Sequence, residues 1–529
     1  MTQLLHELIT TSASRTPQAD AVAFRSTTYS YERLAGEVEQ LARGLLTLGL
    51  DRSERVAIYL PKTLETVVGI FATSQAGGVF VPVNPVLKAE QVAHILKDCN
   101  ARILITSAAR ARDLAQVLEQ CHDLRAIVLT DDAGSLQLPP ALLLRSWPDV
   151  LAGAGSVRAH RNIDADVAAI LYTSGSTGRP KGVVLSHRNM VTGALSVAQY
   201  LENSPSDRLL AVLPFSFDYG FSQMSTAFHV GACVVLLEYL LPRDVITAAV
   251  KARATGIAGV PPLWSQLAAL EWPAAAREHV RYITNSGGAM PGPTLAKLRS
   301  ALPGTKVFLM YGLTEAFRST FLPPEQVDKR PDSIGKAIPN AEIMVVRPDG
   351  TPCAPNEPGE LVHRGSLVAL GYWNDPAKTA ERYKPVPNQD KGLVLTELAV
   401  WSGDTVRMDE EGYLYYIGRR DEMIKTSGYR VSPTEIEEVV FASGLVADAV
   451  AVGVPHATLG QAIVVVAAAQ AGAAQNSEGV LDYCRKQLAN FMVPAQIQWR
   501  DALPRNPNGK YDRTTLAAEL KSLFDGSAP

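Results

Sequence analysis

The sequence contains few cysteines, and their arrangement excludes two kinds of protein. Only five occur among 529 residues: Cys99, Cys121, Cys233, Cys353 and Cys484. An odd number of widely separated cysteines argues against a disulfide framework, and none has the close spacing that a structural zinc site needs. We therefore expect the ordinary buried thiols of a cytoplasmic protein.

A charge imbalance and long hydrophobic runs are also absent. Fifty basic residues against 53 acidic ones give a net charge of −3, so no basic surplus is available for binding nucleic acid. The longest apolar runs, such as residues 463–469, are far shorter than the roughly 20 residues of a transmembrane helix. Residues 1–7 lack the basic region and cleavage site of a secretory signal. These absences predict a cytoplasmic protein without membrane insertion.

Alternating strand and helix patterns fill much of the chain. At 529 residues it is too long for a single hydrophobic core, so we expect at least two domains. Apolar runs at 55–60, 79–83 and 103–106 alternate with helical patterns, which predicts βαβ units in a mostly parallel sheet. A second series of this kind spans residues 209–260. Short strands separated by glycine and proline at 334–416 predict an antiparallel, barrel-like subdomain.

Residues 173–182 are the most informative stretch of the chain. Their sequence, Thr-Ser-Gly-Ser-Thr-Gly-Arg-Pro-Lys-Gly, lies between strand-like runs at 167–171 and 183–186. Glycine lets the backbone approach phosphate oxygens, hydroxyl groups and amides donate hydrogen bonds to them, and the two cations supply charge. The alternative is a flexible surface turn, which the two flanking strands disfavour. The candidate phosphate-binding residues are Thr173, Ser174, Gly175, Ser176, Thr177, Gly178 and Lys181.

The spacing of this loop differs from that of the common nucleoside triphosphatase loop. That loop has Gly-Lys-Ser/Thr at the start of a helix, whose amides and dipole point at the phosphates. Here Pro180 precedes Lys181 and removes a backbone donor, and residues 183–185 favour a strand over a helix. A mononucleotide kinase is therefore disfavoured.

The loop resembles the signature of the adenylate-forming superfamily, which includes acyl-CoA synthetases, luciferases and the adenylation domains of peptide synthetases. Four further segments match that family's motifs in the family's order. They are Tyr-Gly-Leu-Thr-Glu at 311–315, Trp-Ser-Gly-Asp at 401–404, Gly-Arg-Arg-Asp at 418–421 with the loop that follows it, and Pro-Arg-Asn-Pro-Asn-Gly-Lys at 504–510. Over nearly its whole length the sequence is similar to AMP-forming ligases associated with exosortase systems and to stand-alone aminoacyl-adenylating enzymes.

The resemblance implies a two-domain enzyme of the α/β class. Residues 1–420 would form the AMP-binding domain, with two doubly wound subdomains and the small β-barrel-like one, and residues 421–529 a small mobile α+β domain. ATP and Mg²⁺ would be bound, and an acid would be joined to AMP with release of pyrophosphate. The acyl group would pass to a pantetheine thiol, either of CoA or of a separate carrier protein. The alternatives are an enzyme that stops at the adenylate and a non-catalytic nucleotide-binding scaffold.

The resemblance implies that residues of the first two motifs bind the phosphates and the metal ion. The loop would cover the β- and γ-phosphates with Lys181 steadying it, and Thr314 would contact the α-phosphate. Glu315 would hold Mg²⁺ directly or through water, since this ion prefers oxygen ligands and keeps several waters. The alternative for Glu315 is a carboxylate stabilised by the start of a helix.

The adenosine would be held by a glycine-containing loop and three residues further along the chain. Tyr311 would stack on the base, and Asp404 would accept hydrogen bonds from the ribose hydroxyls. On its own, an aspartate that follows a glycine is more often a turn residue. Arg419 would reach the ribose or a phosphate. The residues implied are Ser286, Gly287, Gly288, Ala289, Tyr311, Asp404 and Arg419.

The C-terminal residues have roles that depend on rotation of the small domain. Lys510 would enter the site during adenylation and bridge the carboxylate and the α-phosphate, although a lysine in such a loop is ordinarily a solvated charge. Rotation about a hinge at Asp421 would then present Lys425 and Gly428. Gly428 would leave room for the pantetheine arm, and its alternative role is that of a plain turn glycine.

The acid-binding pocket is the part that the sequence constrains least. Residues 215–220, Phe-Ser-Phe-Asp-Tyr-Gly, lie where fatty-acyl ligases usually have a His-rich turn and amino-acid-activating relatives have Phe-Asp. Asp218 would pair with a substrate ammonium, or alternatively cap the helix that follows. We expect a small amino acid of the proline type, with a fatty or other carboxylic acid as the alternative; Arg318 would bind a carboxylate or pair with an acid. The other predicted lining residues are Tyr219, Ser222, Gly259 and Met310.

Overall fold

The computed structural model describes residues 2–153, 155, 159–173, 180–387, 392, 394–419, 423–469, 474–504 and 511–525, with only the backbone of Arg419. Within these ranges the chain forms three β-sheets with helices packed on their faces. The first two sheets have parallel centres, and the third is small and mixed.

The first 186 residues supply the first sheet and the edge of the second. Their strands are β1 Asp20–Phe24, β2 Thr27–Ser30, β3 Arg55–Tyr59, β4 Val79–Pro82, β5 Ala101–Thr106, β6 Ala126–Leu129, β7 Leu143–Ser146, β8 Val167–Thr173 and β9 Lys181–Ser186. Their helices are α1 Glu7–Arg15, α2 Tyr31–Thr47, α3 Leu64–Ala76, α4 Ala89–Asp98, α5 Ala108–Leu118 and α6 Trp147–Ala152. The first sheet has the order β7-β6-β5-β3-β4-β8-β9, parallel up to β8 and antiparallel at β9. The predicted βαβ units are confirmed.

Helix α2 shows how the sequence produces this layering. Leu34, Val38, Leu41 and Leu45 recur at helical spacing and are buried, so one face packs against the protein interior. The Ser30 hydroxyl accepts a hydrogen bond from the Arg33 amide, 3.2 Å away, and caps the helix start.

Residues 187–332 form the centre of the second sheet. Their strands are β10 Arg208–Ala211, β11 Cys233–Leu236, β12 Gly256–Gly259, β13 Tyr282–Asn285, β14 Lys306–Tyr311 and β15 Thr320–Leu322. Their helices are α7 His187–Tyr200, α8 Asp218–Val230, α9 Pro242–Ala252, α10 Pro261–Ala268, α11 Ala274–His279 and α12 Gly292–Ala301, with short 3₁₀ turns at Thr314–Ala316 and Pro324–Gln326. The order is β2-β1-β11-β10-β12-β13-β14-β15, parallel from β1 to β14. The carboxyl ends of these parallel strands meet at one edge, where ligands of such sheets bind.

Residues 333–419 are antiparallel, as the glycine and proline spacing predicts. Their elements are β16 Ser333–Ala337, β17 Ala341–Val346, β18 Gly359–Gly365, β19 Gly371–Tyr372, α13 Pro376–Arg382, β20 Tyr383–Pro385, β21 Leu398–Met408 and β22 Leu414–Arg419. Strand β16 pairs with both β15 and β22, so these strands continue the second sheet. Strand β19 instead pairs with β9 and so reaches the first sheet.

The last part of the chain forms the third sheet. Its elements are β23 Ile424–Thr426, β24 Tyr429–Val431, α14 Pro433–Ala442, β25 Asp448–His456, β26 Gly460–Ala468, α15 Ser477–Gln487, a 3₁₀ turn Asn490–Met492, β27 Gln496–Trp499 and α16 Arg513–Glu519. Helices α14 and α15 cover one face, and α16 packs on the other. This is the predicted small α+β unit; its predicted start at Asp421 lies outside the described ranges.

No helix in the described parts of the chain combines the length and the apolar character that a membrane span requires.

Candidate active site

A cavity of about 850 Å³ lies where the first, second and third sheets meet. Several of its wall residues end parallel strands: Thr173 ends β8, Asn285 ends β13 and Tyr311 ends β14. The site therefore occupies the carboxyl edge that this kind of sheet offers to ligands. The predicted residues on the wall are Thr173, Asp218, Tyr219, Ser286, Gly287, Gly288, Ala289, Met310, Tyr311, Thr314, Arg318, Asp404, Lys425 and Gly428.

The predicted phosphate loop is anchored by two antiparallel strands. Thr173 at the end of β8 and Lys181 at the start of β9 are paired in register. Thr173 and Pro180 lie on the cavity wall, so the strands deliver both ends of the loop to the cavity. The predicted residues Ser174, Gly175, Ser176, Thr177 and Gly178 fall outside the described ranges.

Lys181 and Glu315 both contact Tyr372, which sequence reasoning missed. The Lys181 ammonium lies 5.5 Å from the centroid of the Tyr372 ring, within the range of a cation–π contact. The Tyr372 hydroxyl donates a hydrogen bond to Glu315 Oε1 at 2.6 Å. Burial lowers the pKa of Lys181, and the nearby charge of Lys378 lowers it further.

Glu315 is suited to bind a magnesium ion that is shared with phosphates. It lies in the 3₁₀ turn Thr314–Ala316 and is only 5% exposed. Burial raises its pKa, but the positive charges of Arg382 and Arg430 and the Tyr372 hydroxyl together lower it more, so the pKa lies below its ordinary value. Among the described residues, no group of three or more acidic, histidine or cysteine side chains is placed to hold a metal ion. One ionised carboxylate close to the predicted phosphate loop fits Mg²⁺, which takes its other ligands from water and substrate.

Tyr311 and Asp404 meet on the cavity wall. The Tyr311 hydroxyl donates to Asp404 Oδ2 at 2.5 Å. Asp404 is 4% exposed, and its amide donates to the Ser402 hydroxyl at 3.1 Å. Asp404 is paired with Arg419 across β21 and β22, so the backbone places the predicted ribose-binding carboxylate beside the residue predicted to reach the ribose or the phosphate. The Asp404 carboxylate is thus fixed before any ligand binds.

The predicted adenine loop follows directly from β13. The Asn285 side-chain amide donates to the Gly288 carbonyl oxygen at 2.9 Å and closes the loop. Gly287 has φ +82, in the left-handed region that favours glycine. This turn lets residues 286–289 line the cavity with backbone and small side chains.

Asp218 and Arg318 form a buried ion pair at the predicted acid-binding end. Arg318 Nη1 donates to Asp218 Oδ2 at 2.8 Å, and the Thr314 hydroxyl donates to Asp218 Oδ1 at 3.2 Å. Burial raises the pKa of Asp218 above its ordinary value although Arg318 and Thr314 oppose this. Asp218 is the first residue of α8. Of the two roles predicted for Arg318, pairing with an acid is the one present here.

Two predicted lining residues lie away from the large cavity wall. Ser222 lies on a second cavity of about 20 Å³, whose wall also includes Tyr219, Met310 and Arg318. Gly259 is on neither described wall. A Cβ atom at Gly259 would come within 2.7 Å of the Trp264 indole, so the glycine is needed for packing against that ring.

The loop between β23 and β24 of the third sheet faces the cavity. Lys425 and Gly428 are on its wall. Gly428 has φ +83, and a Cβ atom there would lie 2.8 Å from Val260 Cγ2. The neighbouring Tyr429 ring contacts Phe217 edge-on, with centroids 5.1 Å apart, and stacks on Phe491 at 3.6 Å. The small unit is therefore oriented with this loop at the site, while Asp421 and Lys510 lie outside the described ranges.

Another contact across this interface was also missed by sequence reasoning. Gln91 on α4 donates to Glu435 on α14 at 3.1 Å. Burial raises the pKa of Glu435 to about 7. Neither Tyr372 nor Glu435 lies in a motif with a chemical signature, so only the fold brings them to the site.

The chain matches two protein-family models in the order that the two-part architecture requires. Residues 9–373 match the family described as AMP-binding enzyme, and residues 435–510 match the AMP-binding enzyme C-terminal domain. The chain belongs to the AMP-binding enzyme family. Residues of both matched segments line the cavity of this chain.

Relatives of the chain differ greatly in length. It is 30% identical to the L-proline–[L-prolyl-carrier protein] ligase of Pseudomonas fluorescens, over 98% of this chain and 100% of that protein. It is also 30% identical to tyrocidine synthase 3 of Brevibacillus parabrevis over 98% of its own length, but it spans only 8% of that synthase.

A solved structure has the same overall fold. It is a double mutant of o-succinylbenzoate CoA synthetase from Bacillus subtilis bound to a product analogue, with 26% identity and a TM-score of 0.82. The match covers 96% of this chain and 97% of that one.

Proposed function

We propose that the protein activates a carboxylic acid with ATP to give an acyl-adenylate and pyrophosphate, and then transfers the acyl group to a pantetheine thiol. The observation that carries this proposal is the convergence of Thr314, Tyr311 and Asp404 on one cavity with Lys425 and Gly428 of the small unit. We thereby assign three parts to this one cavity: an end that binds anions, an end that binds adenosine, and an entrance for the thiol.

The first step joins two anions, so the protein has to neutralise charge and align the reacting atoms. A carboxylate oxygen of the acid attacks the α-phosphorus of ATP, and pyrophosphate leaves. Thr314 lies at the junction of the phosphate and acid ends, where its hydroxyl reaches Asp218. Glu315 would hold the magnesium ion, which when bound neutralises phosphate charge. Lys510 would supply the remaining positive charge.

The second step needs a narrow passage for a thiol. The thiol releases its proton to solvent, the resulting thiolate sulfur attacks the acyl carbon, and AMP leaves. Gly428 lies on the cavity wall and packs closely against Val260, and we place the entrance for the thin pantetheine arm beside this glycine. The acceptor is CoA or the arm of a separate carrier protein, and two of the relatives named above, a carrier-protein ligase and a CoA synthetase, agree with such a thiol.

We assign the carboxylic acid substrate to the class of amino acids. Asp218 supplies a buried carboxylate at the acid end of the cavity, and an ammonium group would satisfy it. The full-length relative that is named as an L-proline ligase supports this class. The alternative is an acid without an ammonium group, which the existing contact between Arg318 and Asp218 favours because that pair is already neutral.

ATP–pyrophosphate exchange across a panel of amino acids and fatty acids tests the proposal, with Asp218→Ala alongside. Exchange that depends on an amino acid and is lost in Asp218→Ala is the expected result. Exchange that depends on fatty acids and is unchanged in Asp218→Ala would overturn the amino-acid assignment. Detection of a thioester with CoA or a carrier protein tests the second step.

A further inference from the structure

Tyr219 separates the main cavity from the second cavity of about 20 Å³, which we call the rear cavity. The residue is 9% exposed and is on the walls of both cavities. The rear cavity has room for about one water molecule. Ser222, which follows Tyr219 by one turn of α8, is on the rear wall and not on the main one. The main cavity therefore ends at Tyr219, before it reaches Ser222.

The position of the Tyr219 ring is fixed by contacts on two sides. Its hydroxyl shares a hydrogen bond of 2.6 Å with the Thr284 hydroxyl, and Thr284 is on the wall of the rear cavity. The guanidinium carbon of Arg318 lies 4.5 Å from the centroid of the ring, within the range of a cation–π contact. Arg318 is itself held by Asp218 at 2.8 Å. The ring thus has one orientation, and it spans the space between the two cavities.

The space behind the ring is suited to hydrocarbon. Met310 and Arg318 complete the partition, since both are also on the two walls. The Met310 sulfur accepts a hydrogen bond from the Tyr200 hydroxyl at 3.1 Å, so this side chain is held as well. The apolar residues of the rear wall include Val197, Leu201, Leu209, Ile257 and Ala258. Removal of the Tyr219 ring would join this apolar space to the acid end.

The ring lies in the path of the acid's tail. The Thr314 hydroxyl donates to Asp218 at 3.2 Å and so connects the phosphate end of the cavity to the acid end. An acid whose carboxylate lies at the α-phosphate beside Thr314 directs its tail past Asp218 to the Tyr219 ring. Close-packed protein interiors accept extra methylene groups only at a cost.

We propose that Tyr219 determines the length of the acid: its ring restricts the substrate to a short acid, and the rear cavity becomes available to a longer one only when the ring is removed. This inference rests on the proposed function, since it names the size of the acid that the same site activates. It holds for an acid with or without an ammonium group, and it excludes long-chain fatty acids.

The first test uses the unmodified protein, so it does not depend on how a variant folds. ATP–pyrophosphate exchange is measured with two straight-chain series that separate length from the ammonium group. One series runs from alanine through norvaline and norleucine to 2-aminooctanoate, and the other from propanoate to octanoate. We expect kcat/KM to fall at least about 100-fold between the best short acid and the longest acid of the same series, because one methylene group changes kcat/KM about 10- to 200-fold.

Variants of Tyr219 then test whether the ring sets this limit. Tyr219→Ala should raise the kcat/KM of the longest acid relative to the best short acid by at least about 100-fold. Tyr219→Leu removes less packing, guards against loss of folded protein, and should shift the ratio in the same direction. Tyr219→Phe is the matched control, because it keeps the ring and loses only the hydrogen bond to Thr284. Its length profile should match that of the unmodified protein.

A second substitution tests the rear cavity itself. Ser222→Leu in the Tyr219→Ala background fills the space behind the missing ring, because Ser222 is on the rear wall. We expect it to reduce the gain for the longest acid to less than about tenfold. Each readout is a ratio between two acids on the same protein, so a lower fraction of folded protein does not change it.

The outcomes distinguish this inference from the proposed function. A length profile that is unchanged in both Tyr219→Ala and Tyr219→Leu would overturn the role of Tyr219 and leave the proposed function standing. Preferential exchange of the unmodified protein with octanoate or a longer fatty acid would do the same. Absence of exchange with both series and with the wider panel of amino acids and fatty acids would overturn the proposed function itself.

Discussion

The Tyr311 hydroxyl donates a hydrogen bond to the carboxylate of Asp404, 93 positions away in the sequence. Both residues lie on the cavity wall. The pair joins the end of a parallel strand of the second sheet to an antiparallel strand of the following region. It holds the proposed ribose-binding carboxylate in one orientation, which reduces the cost of ordering it when a nucleotide binds.

Removing this hydrogen bond should weaken ATP binding. Tyr311→Phe keeps the ring and loses the donor, and a hydrogen bond to a charged group is worth about 1.5–3 kcal/mol. We expect KM for ATP to rise about 10- to 100-fold with a smaller change in kcat. Tyr415→Phe is the control, because its hydroxyl contacts Asp409 at 3.1 Å and neither residue is on the described cavity wall. An unchanged KM in Tyr311→Phe would refute the role of the pair.

A side chain at position 428 should block the second step more than the first. Gly428→Ala places a Cβ atom 2.8 Å from Val260 at φ +83. We expect thioester formation to slow about 100-fold or more, while pyrophosphate exchange falls less than about tenfold. Gly412→Ala has the same φ of +83 with no described atom within 4 Å of its Cβ, so it controls for backbone strain. Equal slowing of both steps by Gly428→Ala would argue against a thiol passage here.

Glu315 and Tyr372 should determine the magnesium requirement. Glu315→Gln removes the ionised ligand and should raise the Mg²⁺ concentration for half-maximal exchange about 100-fold. Tyr372→Phe removes only the 2.6 Å hydrogen bond that orients this carboxylate, and should raise it about tenfold. Glu357→Gln, at a carboxylate paired with Arg347 at 2.6 Å elsewhere, is the control. Magnesium titrations that coincide for all variants would exclude Glu315 as the ligand.

Glu435 should make the protein less stable as the pH rises. Burial raises its pKa from 4.5 to about 7, with Gln91 favouring the charged form and Glu438 opposing it. A raised carboxyl pKa means that the folded protein holds a proton which the unfolded chain releases near 4.5, so stability is lost between that pH and about 7.

Glu435→Gln should therefore raise the melting temperature by about 1–3 °C at pH 8 and have little effect at pH 5. Thermal unfolding of both proteins at the two pH values checks this. Glu478→Gln, at an exposed carboxylate of the same small unit, is the control. A stabilisation that is the same at both pH values would show that Glu435 is not protonated in the folded protein.

The local patterns of the sequence predict the sheets well, because each buried strand and each amphipathic helix has a hydrophobic pattern that is visible within a short segment. The run at 55–60 becomes β3 Arg55–Tyr59, and the antiparallel region at 334–416 follows from its glycine and proline spacing. The family motifs likewise lead to Tyr311, Thr314 and Asp404, which the fold brings to one cavity.

The sequence patterns do not predict contacts between residues that are far apart along the chain. Tyr372 reaches Glu315 across 57 positions, and Arg318 reaches Asp218 across 100. The sequence predicts that Asp218 pairs with a substrate ammonium group, whereas in the structure Asp218 already pairs with Arg318. Such pairings depend on the order of the strands in the sheets, which does not follow from local periodicity.

Lys510→Ala provides the sharpest test of acyl-adenylate formation as the first of two separable steps. In one experiment, pyrophosphate exchange and thioester formation from supplied acyl-adenylate are measured for the unmodified protein, Lys510→Ala and Gly428→Ala. We expect Lys510→Ala to lose exchange by at least about 1000-fold and to retain thioester formation, and Gly428→Ala to show the reverse pattern. Undiminished exchange in Lys510→Ala, or a parallel loss of both steps in both variants, would contradict the proposed two-step reaction at this cavity.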